Sequence, residues 1–305
     1  MNALTVVLAL LAAVCNASAS VMQRRAAAED PADDESARSA VRWLLRQLRR
    51  PYWLGGTALL ALTTVLQAVA LAVGSLAVVQ PLMASELLFT LVVGSVVFRR
   101  RPDRRTWLAF TALAVGLALF LAAAAPATGG SVAPSGRWAV AGAALLCLVA
   151  GLMAVARLVR GAPRAALAGL ASAVAFGGTA ALLKEVMGRL PDGVAPLLGH
   201  WSPYAALAAG ALAFLLLQSA FRAGTLAASQ PSLTLGDALT SVALGWYLFG
   251  EQIALGVRVL PEVLGVVLIG AGSLGLARAP SVHGTWDTAP GVRADEDDAE
   301  GEAHV

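Results

Sequence analysis

LAVVQPLMASELLF, residues 76–89, and LAASQPSLTLGDAL, residues 226–239, decide how this chain is read. Each opens on Leu-Ala and continues to a Gln-Pro pair, Gln80-Pro81 in the first and Gln230-Pro231 in the second. Each then reaches a lone carboxylate, Glu86 or Asp237, inside a run that is otherwise apolar apart from a few small hydroxyl residues. An acid at bilayer depth costs roughly 2.5–3.5 kcal/mol on insertion scales and is rarely left facing lipid. Two such acids in matching contexts therefore call for a shared explanation.

The surroundings set the environment. The chain is 58% hydrophobic and only 13% charged, about half the charged share of a soluble domain, and its mean hydropathy is +0.73. Too few charges remain to cover a water-facing surface. Several runs exceed the ~18 apolar residues that mark a membrane-crossing helix. Nine spans are expected, at 2–22, 53–73, 75–98, 106–125, 137–158, 165–184, 203–221, 224–249 and 258–277. The sequence thus predicts an all-α, polytopic helical membrane protein. The first span is read as retained, because Arg24-Arg25 follow its apolar run and no basic residue precedes it, unlike a secretory signal.

At an offset of 150 residues, Gly74-Ser75-Leu76-Ala77 matches Gly224-Thr225-Leu226-Ala227, and Gln80-Pro81 matches Gln230-Pro231. One residue of slippage pairs Leu66-Gln67 with Leu217-Gln218 and Glu86 with Asp237. Spans 1–4 then resemble spans 6–9, with span 5 as a connector. The copies are displaced by five spans, an odd number, so the second enters the membrane in the opposite sense. The expected organisation is a first repeat over 1–125, a connector over 126–164, an inverted second repeat over 165–277 and an acidic, disordered tail over 278–305. Inverted repeats of this kind build transporters with sites near the midplane.

Orientation follows from the basic residues, which are all Arg except Lys184. With the N-terminus outside, 18 of the 22 fall on the inner side; Arg137, Lys184, Arg189 and Arg258 are the others. Cytoplasmic loops are the basic ones, so the N-terminus is placed outside and the C-terminus inside. The insert at 23–52 joins an acidic stretch, AEDPADDES, to ARSAVRWLLRQLRR, whose Val41, Leu44, Leu45 and Leu48 oppose Arg38, Arg42, Arg46 and Arg49. That pattern suits a helix in an anionic headgroup region and equally a solvated basic helix.

Glu86 stands about 16 Å into its span at the helical rise, near the middle of the membrane, and Asp237 is about as deep. The candidate pathway residues are Glu86, Asp237, Gln67, Gln80, Gln218 and Gln230, with Pro81 and Pro231 as helix kinks. Each proline leaves a carbonyl without its helical donor, that of Ala77 or Ala227, and such a group is tolerated where it lines a cavity or meets a neighbour. The competing reading makes the amides packing glue and the acids neutral, hydrogen-bonded side chains. Asn16 and Ser18 in span 1 are weaker pathway candidates. Arg222 reads as an inner-boundary anchor, and Lys184-Glu185 as an exposed adjacent pair.

Other motifs exclude more than they suggest. GAGSLG, residues 270–275, satisfies a dinucleotide-binding pattern but lacks the strand–turn–helix context that pattern needs. Gly265, Gly270, Gly272 and Gly275 instead read as small residues for close helix packing. The single lysine is followed by Glu185, so no phosphate-binding Walker loop exists, and no zinc-protease or serine-nucleophile motif is present. Cys15 and Cys147 lie in apolar runs and read as small hydrophobes. Enzymatic activity, a cofactor, a protein-held metal and nucleic-acid binding are not expected.

With its repeats, Gln-Pro kinks and Arg-flanked spans, the chain resembles the drug/metabolite transporter superfamily over roughly residues 1–278. Its basic end of span 1 and its connector span 5 look most like the branch of the NIPA-type magnesium transporters. Many superfamily members have ten spans where nine are counted here. The resemblance implies inverted helical repeats, alternating access and a multi-pass protein of the cytoplasmic membrane, often coupled to proton exchange. The expected function is movement of a small solute of unknown identity. The alternatives are passage of a divalent cation such as Mg²⁺, or a non-transporting membrane scaffold. Expected partners are the lipid bilayer and a small-molecule or cation substrate, and a homodimer is compatible with the layout.

Overall fold

The computed structural model describes residues 2–28, 51–97, 101–124, 129–134, 136–223, 226–252 and 259–278. The amphipathic segment of the 23–52 insert and nearly all of the acidic tail lie outside the described residues. Helices follow in the order α1 (Ala3–Ala28), α2 (Pro51–Val73), α3 (Leu76–Met83), α4 (Glu86–Val97), α5 (Arg104–Ala124), α6 (Arg137–Leu158), α7 (Ala162–Arg189), a one-turn α8 (Val194–Leu198), α9 (Ser202–Ala223), α10 (Leu226–Phe249) and α11 (Val259–Ala277). No strand occurs among the described residues.

Seven segments among the described residues are long and apolar enough to cross a membrane: those of α1, α2, α3–α4 together, α5, α6, α7 and α9. The two remaining predicted spans are also helices, α10 with 24 residues and α11 with 19. The architecture is that of a helical membrane protein. Its surface shows why: Leu108, Val96, Leu158, Leu207 and Leu260 are each at least 70% exposed, which suits lipid and would be costly in water.

The seams of α7 are built from small side chains. Along α7 the buried positions include Ala165, Ala168, Gly169, Ala171, Ala173, Gly177, Gly178 and Ala181. Lipid tails are as apolar as leucine, so burying large side chains gains little there, and close backbone approach drives helix pairing instead. Helix α7 accordingly packs along both α9 and α10, and also meets α6, α2 and α3. Helix α1 packs on α2, α3 and α4, while α5 pairs with α11. Hydroxyl-to-carbonyl bonds cross these seams, from Thr63 Oγ1 of α2 to Ala12 of α1 (3.3 Å) and from Ser172 Oγ of α7 to Ala213 of α9 (2.9 Å).

The α5–α11 seam gives Gly265, Gly272 and Gly275 the packing role the sequence suggests, while Gly270 faces Leu235 of α10. A Cβ on Gly265 would meet the Gly116 carbonyl oxygen at 2.9 Å, and a Cβ on Gly116 would meet the Gly265 oxygen at 2.8 Å. The obstacle on each side is backbone, which cannot rotate away. Gly265→Val is therefore expected to destabilise the chain by about 1–3 kcal/mol or more through overpacking, read as a lower melting temperature in detergent.

The expected single span 75–98 is two helices. Pro81 remains inside α3, and the break falls just beyond it, at Ala84-Ser85. There the turn tightens: the Ala84 amide donates to Pro81 and Gln80, the Ser85 amide to Leu82 (3.0 Å), and Ser85 Oγ to the same Leu82 carbonyl (2.6 Å). A serine competing for a backbone carbonyl weakens the helical ladder, and the missing Pro81 donor adds to this. In the matching stretch Pro231 sits within one continuous helix, α10.

Asp103 immediately precedes α5, with its carboxylate accepting from the Thr106 hydroxyl and from the Thr106 amide (2.9 Å). Those two bonds, the hydroxyl's first, hold the Asp103 carboxyl below its ordinary value of 3.8. The resulting protection of the Thr106 amide is present above that ordinary value and is lost as acidification passes through the lower folded one. Hydrogen-exchange protection at Thr106, followed from about pH 5 to pH 2, should show that loss at the acid end.

Candidate functional site

Glu86 is the first residue of α4, so the helix break places its carboxylate at a helix N-terminus. The partial positive charge of that terminus favours an anion, which offsets part of the cost of its depth. Asn16 of α1 donates from Nδ2 to Glu86 Oε2. The sequence made Asn16 a weaker candidate, and the structure joins it directly to the first acid. Ser18 is half-buried two residues further along α1, and Asn16, not Ser18, bonds Glu86.

Asp237 lies in the middle of α10. Its Oδ1 is buried without a hydrogen-bond partner among the described residues. Its helix, α10, packs on α3, the short helix that ends just before Glu86. Close seating of α10 on α7 brings Asp237 inward: a Cβ on Gly177 would meet Thr240 Cγ2 at 2.9 Å, and one on Gly236 would meet Leu170 Cδ1 at 2.6 Å. Orphaned carboxylate oxygens in a protein interior are costly, and one at this depth is a natural point for a proton or a cation.

The amides are less unified. Gln80 is buried on α3, between the start of that helix and the break before Glu86. Gln67 on α2 and Gln218 on α9 are half-buried; α9 packs chiefly on α7, one helix away from the Asp237-bearing α10. The side chains of Gln230 and Arg222 lie outside the described residues, although the Gln230 backbone is helical. No group of three or more His, Cys, Asp or Glu able to hold a metal occurs among the described residues.

A second polar cluster was not expected, and it corrects the reading of Lys184-Glu185 as an exposed adjacent pair. Lys184 is 3% exposed and Glu185 fully buried, and they turn to different partners. Successive residues on a helix point about 100° apart and do not face each other. Lys184 Nζ bonds Glu251 Oε1 at 2.5 Å and donates to the Gly74 carbonyl at 3.0 Å, with the Phe249 ring 4.9 Å away. Glu251, also fully buried, accepts from the Leu76 amide (2.7 Å) and the Ala77 amide (3.0 Å). Those are two of the donors that the first turn of α3 leaves free, so the Glu251 carboxylate caps α3 from 174 residues away.

The turn that delivers Glu251 relies on Gly250, at φ +64°, a backbone conformation open to glycine. The Glu251 amide returns to the Gly245 carbonyl at 3.0 Å, and the Gly130 amide donates to Phe249 at 2.7 Å. Glu185 meanwhile accepts from Arg189 Nε (2.9 Å) and from the Ala133 amide (2.8 Å), tying α7 to the 129–134 loop. Both carboxylates therefore have their charges compensated locally, unlike the pair at Glu86 and Asp237.

Over 279 residues the chain is 29% identical to a protein of Corynebacterium glutamicum described as uncharacterized, a match spanning 88% of this chain and 95% of that one. No family model matches the chain. No solved structure matches it.

Proposed function

We propose that the chain is a transporter that moves a small solute across the cytoplasmic membrane by alternating access, with Glu86 and Asp237 carrying the coupled charge. The observation that bears most weight is that α10, which carries Asp237, packs on α3, whose end leads into Glu86, with the two acids at corresponding places in the sequence. Asn16 orients the first, and the second keeps an oxygen free.

The helix pairings support two inverted repeats. Helix α1 packs on α2 and on the α3–α4 pair, as α7 packs on α9 and α10. Helices α5 and α11, the fourth members, pair with each other, while α3 meets α10. Helix α6, the connector, touches chiefly α7. A pseudo-twofold axis between the halves gives such a layout two related states, each open to one side.

Two carboxylates and one amide form a thin ligand set for Mg²⁺, which wants six oxygens and usually keeps several waters. A small organic solute exchanged with protons suits the site better. The experiment is a ligand-stabilisation screen over metabolites and divalent metals, followed by uptake or efflux of each stabilising solute in proteoliposomes of the full chain. A scaffold that transports nothing would give no solute flux above empty vesicles while losing a binding partner on deletion of residues 23–52.

A further inference from the structure

We propose that the Lys184–Glu251 ion pair is a latch that closes one mouth of the transport crevice, and that its parting opens that mouth. The proposal deepens the transport reading and rests on it. By the distribution of basic residues, the mouth concerned is the external one.

The latch joins the two halves of the sequence. Lys184 and Glu251 belong to the second, whereas the Gly74 carbonyl and the Leu76 and Ala77 amides that they hold belong to the first. What they grip is α3, an eight-residue helix bounded by Gly74-Ser75 at one end and by the Ala84-Ser85 break at the other. The residue after that break is Glu86. A single short segment thus has the latch at its start and the first site acid just past its end, so movement of one end is transmitted to the other.

The chemistry also suits a contact that parts. In a desolvated ion pair the Coulombic gain and the desolvation cost nearly cancel. When the latch opens, water can meet the Lys184 ammonium, the Glu251 carboxylate and the two α3 amides, so the open state loses little. An apolar plug would have no comparable alternative. The neighbouring carboxylate behaves differently: Glu185 is engaged by Arg189, four residues along its own helix, and by Ala133, and among the described residues it forms no hydrogen bond or ion pair with α3. One carboxylate serves the fixed frame and the other bridges to the moving segment.

The test places one thiol in the latch and one away from it, in the full chain carrying Cys15→Ser and Cys147→Ser. Ala77→Cys reports the latch, and Leu91→Cys, at a position 1% exposed within α4, reports general unfolding. With a membrane-impermeant maleimide on reconstituted protein, A77C should label slowly. Its rate should rise roughly ten-fold or more with Glu251→Gln or Lys184→Gln, as a local opening equilibrium shifts, while L91C stays unlabelled. Equal A77C rates with and without these changes, or a rise at both reporters together, would overturn the latch.

Hydrogen exchange on the unsubstituted chain supplies a readout independent of any variant. The Leu76 and Ala77 amides should exchange together and faster than the α4 amides of Leu88 and Leu91; equal protection overturns the proposal. Solute flux in the native chain with no effect of E251Q on labelling overturns the latch alone. Raised labelling in a chain that moves no solute supports the opening motion and overturns the transport reading.

Discussion

Replacing Glu185 with alanine is expected to lower the stability of the folded chain by about 3 kcal/mol, the low end of the range for breaking a buried ion pair by removing one partner. The low end applies because Arg189 keeps 30% of its side chain exposed and can rehydrate. The remaining loss comes from the Ala133 amide, which the fully buried carboxylate now satisfies, and from the void left behind. Glu185→Gln retains an acceptor for that amide and should lose only about 1–2 kcal/mol. Unfolding in mixed micelles, with both variants against the native chain, checks the order. Because Glu185 belongs to the frame, E185A should not raise labelling of the A77C reporter, the opposite of E251Q.

The second large effect is expected at the two membrane-depth acids, where stability and function should separate. Asp237→Asn removes a charge whose Oδ1 has no partner among the described residues. Stability should hold or rise, with an upper bound of about 2.5–3.5 kcal/mol, the insertion cost of an aspartate at a helix centre. Glu86→Gln keeps an oxygen for the Asn16 amide and should be similarly tolerated. Acids that served only as packing contacts would instead make both variants less stable. Under the transport reading the variants melt no lower than the native chain yet cease to couple charge to solute movement.

Much of this was legible in the sequence, and the exceptions have physical causes. Apolar length predicted the helices, because a membrane-crossing segment must satisfy its backbone within itself. The correspondence of Glu86 with Asp237 was legible because the two stretches match residue by residue around their Gln-Pro pairs. The position of the break in the third span was not. Pro81 drew attention to itself, but Ser85 competing for the Leu82 carbonyl moves the interruption toward Glu86. The Lys184–Glu251 pair was hidden because it spans 67 residues and depends on the positive φ of Gly250. Adjacency of Lys184 and Glu185 pointed the wrong way, since neighbours on a helix diverge. The available signal was a lone lysine in an arginine-rich chain, at the end of a helix otherwise lined with alanine and glycine.

The most direct measurement is solute-driven proton movement in pyranine-loaded proteoliposomes, made with the native full-length chain and with Glu86→Gln and Asp237→Asn, using solutes that stabilise the native protein. The account predicts a signal above empty vesicles for the native chain that vanishes in both variants while their melting temperatures are maintained. An equal signal from the native and both neutralised chains would contradict it.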